Sequence, residues 1–127
     1  MLSILITGGT GHIGSYLIRN LGKNLKNLKI IILDNMSTNR YCSLFNLPNF
    51  SQYQFIECDL VKCQITDIPR ADIVIHLAAK TDAAQDLKFK EEFNTNNFES
   101  TKKIIEYSIK HNAKLIFASS TSVYGPQ

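Results

Sequence analysis

The apolar positions of this chain switch repeatedly between the spacing of a strand and that of a helix. Leu2-Ser3-Ile4-Leu5-Ile6 is a short apolar run that predicts a strand over about residues 2–7. Ile13, Tyr16, Leu17 and Leu21 then recur at helical spacing and predict a helix over about residues 12–23. Between Lys29 and Asp34 lies Ile30-Ile31-Ile32-Leu33, a β-branched run with no polar alternation. Such runs suit strands buried on both faces, as in a parallel sheet. Residues 35–51 are polar and mixed, with Pro48, and allow a short helix near Arg40–Asn46. Tyr53 to Glu57 reads as a third strand, and Asp72-Ile73-Val74-Ile75-His76 as a fourth. A long helical pattern runs from about Glu91 to Lys110, with Phe93, Asn97, Thr101, Ile104, Ile105 and Ser108 near one face. Lys114-Leu115-Ile116-Phe117-Ala118 is the fifth strand.

Strands alternating with helices imply right-handed parallel crossovers and an α/β, doubly wound sheet. The expected architecture is a Rossmann-type half sheet of strand order 3-2-1-4-5, truncated after the fifth strand. It forms one domain over residues 1–127, with no internal repeat or linker. Ligands of such sheets sit at the carboxyl ends of the strands, at the switch point between strands 1 and 4.

Composition narrows this little. Apolar residues at 44% and charged ones at 20% describe an ordinary soluble globular domain. The net charge of +3 gathers visibly only at Lys23, Lys26 and Lys29, read as a solvated face. Nucleic-acid binding would need a denser basic stripe or interleaved aromatics. Cys42, Cys58 and Cys63 are odd in number and lack metal-ligand spacing, which fits a reducing compartment better than a disulfide framework. The N-terminal apolar run is too short and unflanked by basic residues for a signal peptide, and no stretch is long enough to span a membrane. The expectation is a cytoplasmic protein with no metal site.

The candidate chemistry begins at Thr7-Gly8-Gly9-Thr10-Gly11-His12-Ile13-Gly14, between the first strand and the first helix. That order fits a phosphate-binding turn. Gly9 is expected to turn the chain out of the strand, Gly11 to let a pyrophosphate reach the backbone, and Gly14 to let the helix lie close on the strand. The helix N-terminus adds free N–H groups. Asp34 ends the second strand 20 residues after Gly14, where a carboxylate accepts from adenosine ribose hydroxyls and repels a 2′-phosphate. This favours NAD over NADP. Asp59 ends the third strand and could accept from the adenine amino group, though spacing fits a turn or capping carboxylate equally. His76-Leu77-Ala78-Ala79 ends the fourth strand; the small residues allow close approach, and His76 reads as a hydrogen-bonded structural group. Asn97 needs a partner, expected in the backbone beside the fourth strand, whereas Asn94 and Asn96 read as solvent-exposed. The hydroxyl run Ser119-Ser120-Thr121-Ser122 follows the fifth strand and by composition alone is a turn segment.

These stretches together, with Leu33-Asp34-Asn35, Cys58-Asp59-Leu60, Thr101 and Val123-Tyr124-Gly125, resemble the extended short-chain dehydrogenase/reductases. Within them the likeness is to the NAD-dependent epimerases/dehydratases of nucleotide sugars. The resemblance implies NAD as cofactor and a nucleotide sugar as substrate. By the same resemblance, Gly8, Gly11, His12, Ile13 and Gly14 would meet the pyrophosphate, and Asp34 and Asn35 the ribose. Asp59 and Leu60 would flank adenine, Leu77, Ala78 and Ala79 would line the nicotinamide side, and Asn97 would support the floor. Ser120 would be the catalytic serine that hydrogen-bonds the sugar hydroxyl being oxidised, and Ser122 would lie near the sugar. A full-length enzyme of this kind would pair as a homodimer through the long helix and the next one.

Three features depart from the family pattern. Ser100-Thr101 stands where the family usually has Gly-Thr, and Lys80-Thr81-Asp82-Ala83-Ala84 matches neither the epimerase nor the dehydratase version. The family's Tyr-x-x-x-Lys pair lies beyond Gly125, and Tyr124 has no lysine four residues later. The expectation is therefore the amino-terminal part of an epimerase/dehydratase without its substrate domain, inactive by itself. The competing reading is a complete, non-catalytic NAD-binding module. The fifth strand is in either case an expected bare edge.

Overall fold

The computed structural model describes residues 1–80 and 87–119. The chain runs β1 (Leu2–Thr7), α1 (His12–Asn24), β2 (Leu28–Asp34), β3 (Ser51–Glu57), β4 (Ile73–His76), α2 (Leu87–His111) and β5 (Lys114–Phe117). The five strands form one parallel sheet of order β3-β2-β1-β4-β5. Residues 41–44 are a single 3₁₀ turn rather than a longer helix, and α2 starts four residues before the periodic pattern did.

Burial on both faces explains the apolar runs. Ile4 and Ile6 of β1, Ile30 and Ile32 of β2, and Ile75 of β4 pack with Ile18 of α1 on one face. Leu5, Ile31, Leu33 and Val74 point the other way, onto Ile104 and Tyr107 of α2. The side-chain period of two in a strand thus feeds two separate cores from one uninterrupted sequence. Ile105, placed near the buried face by periodicity, is instead exposed, while Tyr107 takes the interior position.

Tyr107 carries a hydroxyl into that core and donates it to the Pro69 carbonyl at 2.6 Å. Burial raises its pKa above the usual tyrosine value. Tyr107→Phe leaves the carbonyl without this partner, with an expected loss of about 1 kcal/mol in urea unfolding, the net value of one hydrogen bond.

At the far end of the sheet from the switch point, Asp72 accepts from both the amide and the hydroxyl of Ser3, at 2.9 and 2.7 Å. Its own amide donates to the Ser3 carbonyl at 3.0 Å. The side-chain and then the backbone bond from Ser3 hold the Asp72 carboxyl below its usual range. No helix among the described residues is long and apolar enough to cross a membrane.

Candidate cofactor site

The carboxyl ends of β1, β2, β3 and β4 open into one cavity of about 910 Å³. Its floor is the glycine turn between β1 and α1. Gly8 takes the left-handed conformation there, with φ 67°. The sharp exit from the strand therefore falls at Gly8 rather than at Gly9. A Cβ on Gly8 would stand 2.8 Å from the Ala78 amide nitrogen, so the turn meets the end of β4 backbone to backbone. A Cβ on Gly9 would meet the Ile32 side chain at 2.7 Å. Gly14 presses on the turn itself: its Cβ would lie 2.5 Å from the Gly8 carbonyl oxygen and 2.6 Å from the Gly9 Cα. Gly11 differs, since only the Gly8 carbonyl, at 3.3 Å, comes near its Cβ position.

Helix α1 begins at His12 with Gly11 as its N-cap, and no side chain caps it. Its first turn holds no acidic residue. Free amides and the positive end of the helix dipole thus face a cavity lined by Gly11, His12, Ile13 and Gly14.

Asp34 is held rigidly above this turn. One carboxylate oxygen accepts from the Thr10 amide at 3.1 Å, the other from the Met36 amide at 2.9 Å. Met36 is itself left-handed, with φ 56°, and buried. Asn35 accepts from the Ser37 amide at 3.0 Å, and Asn35, Ser37, Thr38 and Arg40 continue the wall. Arg19 of α1 fixes the segment behind them, donating to the carbonyls of Ser43, Phe45 and Asn46. Ser43 in turn donates to the Thr10 carbonyl at 2.9 Å. The Thr10 hydroxyl is buried within the turn and has no hydrogen-bond partner among the described residues.

Cys58, Asp59, Leu60 and Val61 form the opposite wall. Asp59 accepts from the Val61 amide at 3.0 Å and stands 3.9 Å from the Lys62 ammonium, so it closes its own turn as well as lining the cavity. Cys58 and Cys63 are paired as a disulfide with Cα atoms 6.2 Å apart. This departs from the expectation of free thiols; Cys42 remains free and exposed.

At the end of β4, Thr7 organises the backbone. Its hydroxyl oxygen accepts from the amides of Leu77 and Ala78, each at 3.2 Å, so its proton goes to Nδ1 of His76 at 2.7 Å. His76 is then neutral with its proton on Nε2, which donates to the Thr101 hydroxyl of α2 at 3.1 Å. Its ring stacks on Phe117. Burial holds the His76 pKa down to about 4, against the usual 6.5. Between those values the unfolded chain binds a proton that the folded one refuses. Stability is therefore full above about pH 6.5 and falls as the pH drops towards 4. Melting temperatures taken across that interval should decline in the wild type and decline less steeply in His76→Gln. The Asp72 contribution disappears separately, below pH 3.8, where its depressed carboxyl finally protonates.

Asn97 of α2 grips the chain beyond β4 with both ends of its amide, accepting from the Lys80 amide at 2.8 Å and donating to its carbonyl at 3.1 Å. Leu77, Ala78, Ala79 and Asn97 all line the cavity. So do Asn94, which is exposed as the sequence suggested, and Asn96, which is half-buried. Ser119 reaches its rim, and Ser120 and Ser122 lie outside the described residues. The sequence assigns no role to Thr7, Arg19 or Lys80; Thr7 carried a signal, as the polar residue closing an apolar strand.

A parallel sheet of this order, with a glycine turn, an uncapped helix and a braced carboxylate at its switch point, defines a Rossmann-type dinucleotide-binding domain. The chain belongs to the NAD dependent epimerase/dehydratase family, whose model matches residues 4–127. It is 39% identical over 135 residues to the dTDP-D-glucose 4,6-dehydratase of Dictyostelium discoideum, covering 96% of this chain and 30% of that protein. It is 32% identical to the UDP-glucose 4-epimerase of Yersinia enterocolitica, covering 98% of this chain and 38% of that one. Among solved structures, the UDP-N-acetylglucosamine 4-epimerase of Methanobrevibacter ruminantium, in complex with UDP-N-acetylmuramic acid, superimposes with a TM-score of 0.84 at 31% identity. That match covers 99% of this chain and 40% of that structure. The chain thus spans well under half the length of these relatives. NAD is the cofactor of the family, and the residues fit it: the Gly11 backbone is open to the cavity, α1 offers unpaired amides, and Asp34 offers a fixed acceptor.

Proposed function

We propose that these residues form the NAD-binding portion of a nucleotide-sugar epimerase/dehydratase that works by transient hydride transfer to and from NAD. The observation that carries this reading is the continuous cavity from Asp34, over the glycine turn, to Ala78 and Asn97. The amides of α1 would hold the pyrophosphate, with Gly8, Gly11 and Gly14 letting it approach. Asp34 and Asn35 would hold the adenosine ribose, and Asp59 and Leu60 would flank adenine. Leu77, Ala78 and Ala79 would lie along the nicotinamide side, on a floor kept in place by Asn97. The nicotinamide supplies hydride acceptance and return when bound. Ser120 would hydrogen-bond the sugar hydroxyl undergoing oxidation, and Ser122 would sit near the sugar. A general base with a pKa near 7 is needed as well. An ordinary tyrosine, at ~10, requires about 4 kcal/mol of differential stabilisation to serve. No Tyr-x-x-x-Lys occurs within the 127 residues. The chain by itself is expected to bind NAD without turning over UDP- or dTDP-sugars.

Titration with NAD and NADP tests this. Saturable NAD binding, weaker NADP binding and no sugar conversion are expected; no binding of either dinucleotide overturns the reading. Exposed Phe98, Ile105 and Ile109 on α2, with Ile116 and Phe117 on edge strand β5, weigh against a self-sufficient binding module. A monodisperse monomer that binds NAD would favour the module instead.

A further inference from the structure

The Cys58–Cys63 pair spans the wall of the cavity that carries Asp59 and Leu60. Hydrogen bonds shape that turn alongside the sulfurs. The Cys58 amide donates to the Asp34 carbonyl at 2.9 Å, which ties the turn to the strand end bearing the ribose carboxylate. The amides of Lys62 and Cys63 both donate to the Asp59 carbonyl, at 2.9 and 2.8 Å. From α2, the Lys103 ammonium reaches the carbonyls of Cys63 at 2.6 Å and Val61 at 3.0 Å. Leu60 is buried in the α2-side core. The ring is short, at a sequence separation of five, so it restrains the unfolded chain far less than a long loop would. The restraint the bond adds is therefore local, on the wall that carries Asp59 and Leu60. Both cysteines are only half-buried, and Cys58 faces the cavity, within reach of a small thiol or disulfide.

We infer that Cys58 and Cys63 form a reversible redox clasp that sets the affinity of the cavity for NAD. The inference rests on the dinucleotide reading and adds regulation to it. A low-molecular-weight disulfide such as glutathione disulfide is the oxidant. The Cys58 thiolate attacks one of its sulfurs, the oxidant's S–S bond breaks, and one glutathione leaves. The Cys63 thiolate then attacks the Cys58 sulfur of the mixed disulfide and expels the second glutathione. Two cysteine thiols lose two electrons and two protons, and one glutathione disulfide becomes two glutathiones. Closing the clasp fixes the wall before the ligand arrives, which removes an ordering cost from binding. The coupling is reciprocal, so bound NAD protects the disulfide from reduction.

The purified chain is equilibrated in glutathione buffers of opposite poise and titrated with NAD, with thiols counted by mass in parallel. The oxidised form should lose two hydrogens without a glutathione adduct and bind NAD about fivefold or more tightly than the reduced form. Cys63→Ser should lose the gain in affinity seen in the oxidising buffer, while Cys42→Ser should respond like the wild type. Equal NAD affinity in the two buffers overturns the clasp and leaves the dinucleotide reading standing, as does a glutathione adduct that never resolves to the ring. No NAD binding in either buffer overturns the dinucleotide reading, and the clasp with it.

Discussion

Replacing Asp34 by alanine is expected to weaken NAD binding by about 1.5–3 kcal/mol, the range for hydrogen bonds to a charged group. The geometry says why the loss should be that large. An ionised carboxylate has about four acceptor positions. Two bind the Thr10 and Met36 amides, which leaves the rest for a ligand in the cavity that Asp34 lines. The group is thus braced before a ribose arrives, and little ordering remains to be done on binding. Alanine removes the proposed ribose acceptors and the brace on the glycine turn together. The preference for NAD over NADP should narrow as well, because the charge that repels a 2′-phosphate is gone. Calorimetric titration of both dinucleotides checks the two effects. Unchanged NAD affinity would remove Asp34 from the site.

Gly14→Ala should cost the fold itself about 3 kcal/mol or more, above the ordinary range for overpacking. The new methyl would sit 2.5 Å from the Gly8 carbonyl and 2.6 Å from the Gly9 Cα. Both are backbone atoms in a turn, so neither can swing aside as a side chain would. Helix α1 must lift, and Ile18 leaves its place against Ile4 and Ile32. Alanine's better helix propensity returns only about 1 kcal/mol. Gly11→Ala provides the contrast. Its methyl meets only one atom, at 3.3 Å, and otherwise enters the cavity. That variant should unfold in urea much like the wild type yet lose most NAD binding. If both variants prove equally stable, the packing account of Gly14 is wrong.

The sheet was legible because Ile30 to Leu33 and Ile73 to Ile75 are apolar without interruption, which only a strand covered on both faces requires. The start of α2 was not, because Leu87-Lys88-Phe89-Lys90 precedes the helical stripe that begins at Phe93. The glycine turn was legible as a turn, but the assignment of roles within it was not. Which glycine takes a positive φ depends on where β4 passes, and Ala78 is 70 residues away in the chain. The cysteine pair was hidden for a similar reason. Its spacing matches no metal motif, and the two sulfurs meet only because the Asp59 carbonyl folds the chain back on itself. Asn97 was legible as a polar residue needing a partner, though the two-ended grip on Lys80 was not.

The strand order carries a further consequence for how the chain reaches this state during synthesis. β1 is made first but lies in the middle of the sheet, with β2 on one side and β4 on the other. A nascent chain can pair β1, β2 and β3 and seat α1, which closes one face. The opposite face, with Leu5, Ile31 and Leu33, receives Leu60, Ile68 and Ala71 from the segment after β3 but stays only partly covered until α2 emerges with Ile104 and Tyr107. No two of these strands pair as neighbours across a tight turn; every pairing is parallel and closes a long loop, the arrangement that folds slowly. The half-covered sheet is therefore the intermediate most exposed to aggregation, and the arrival of α2 ends that exposure.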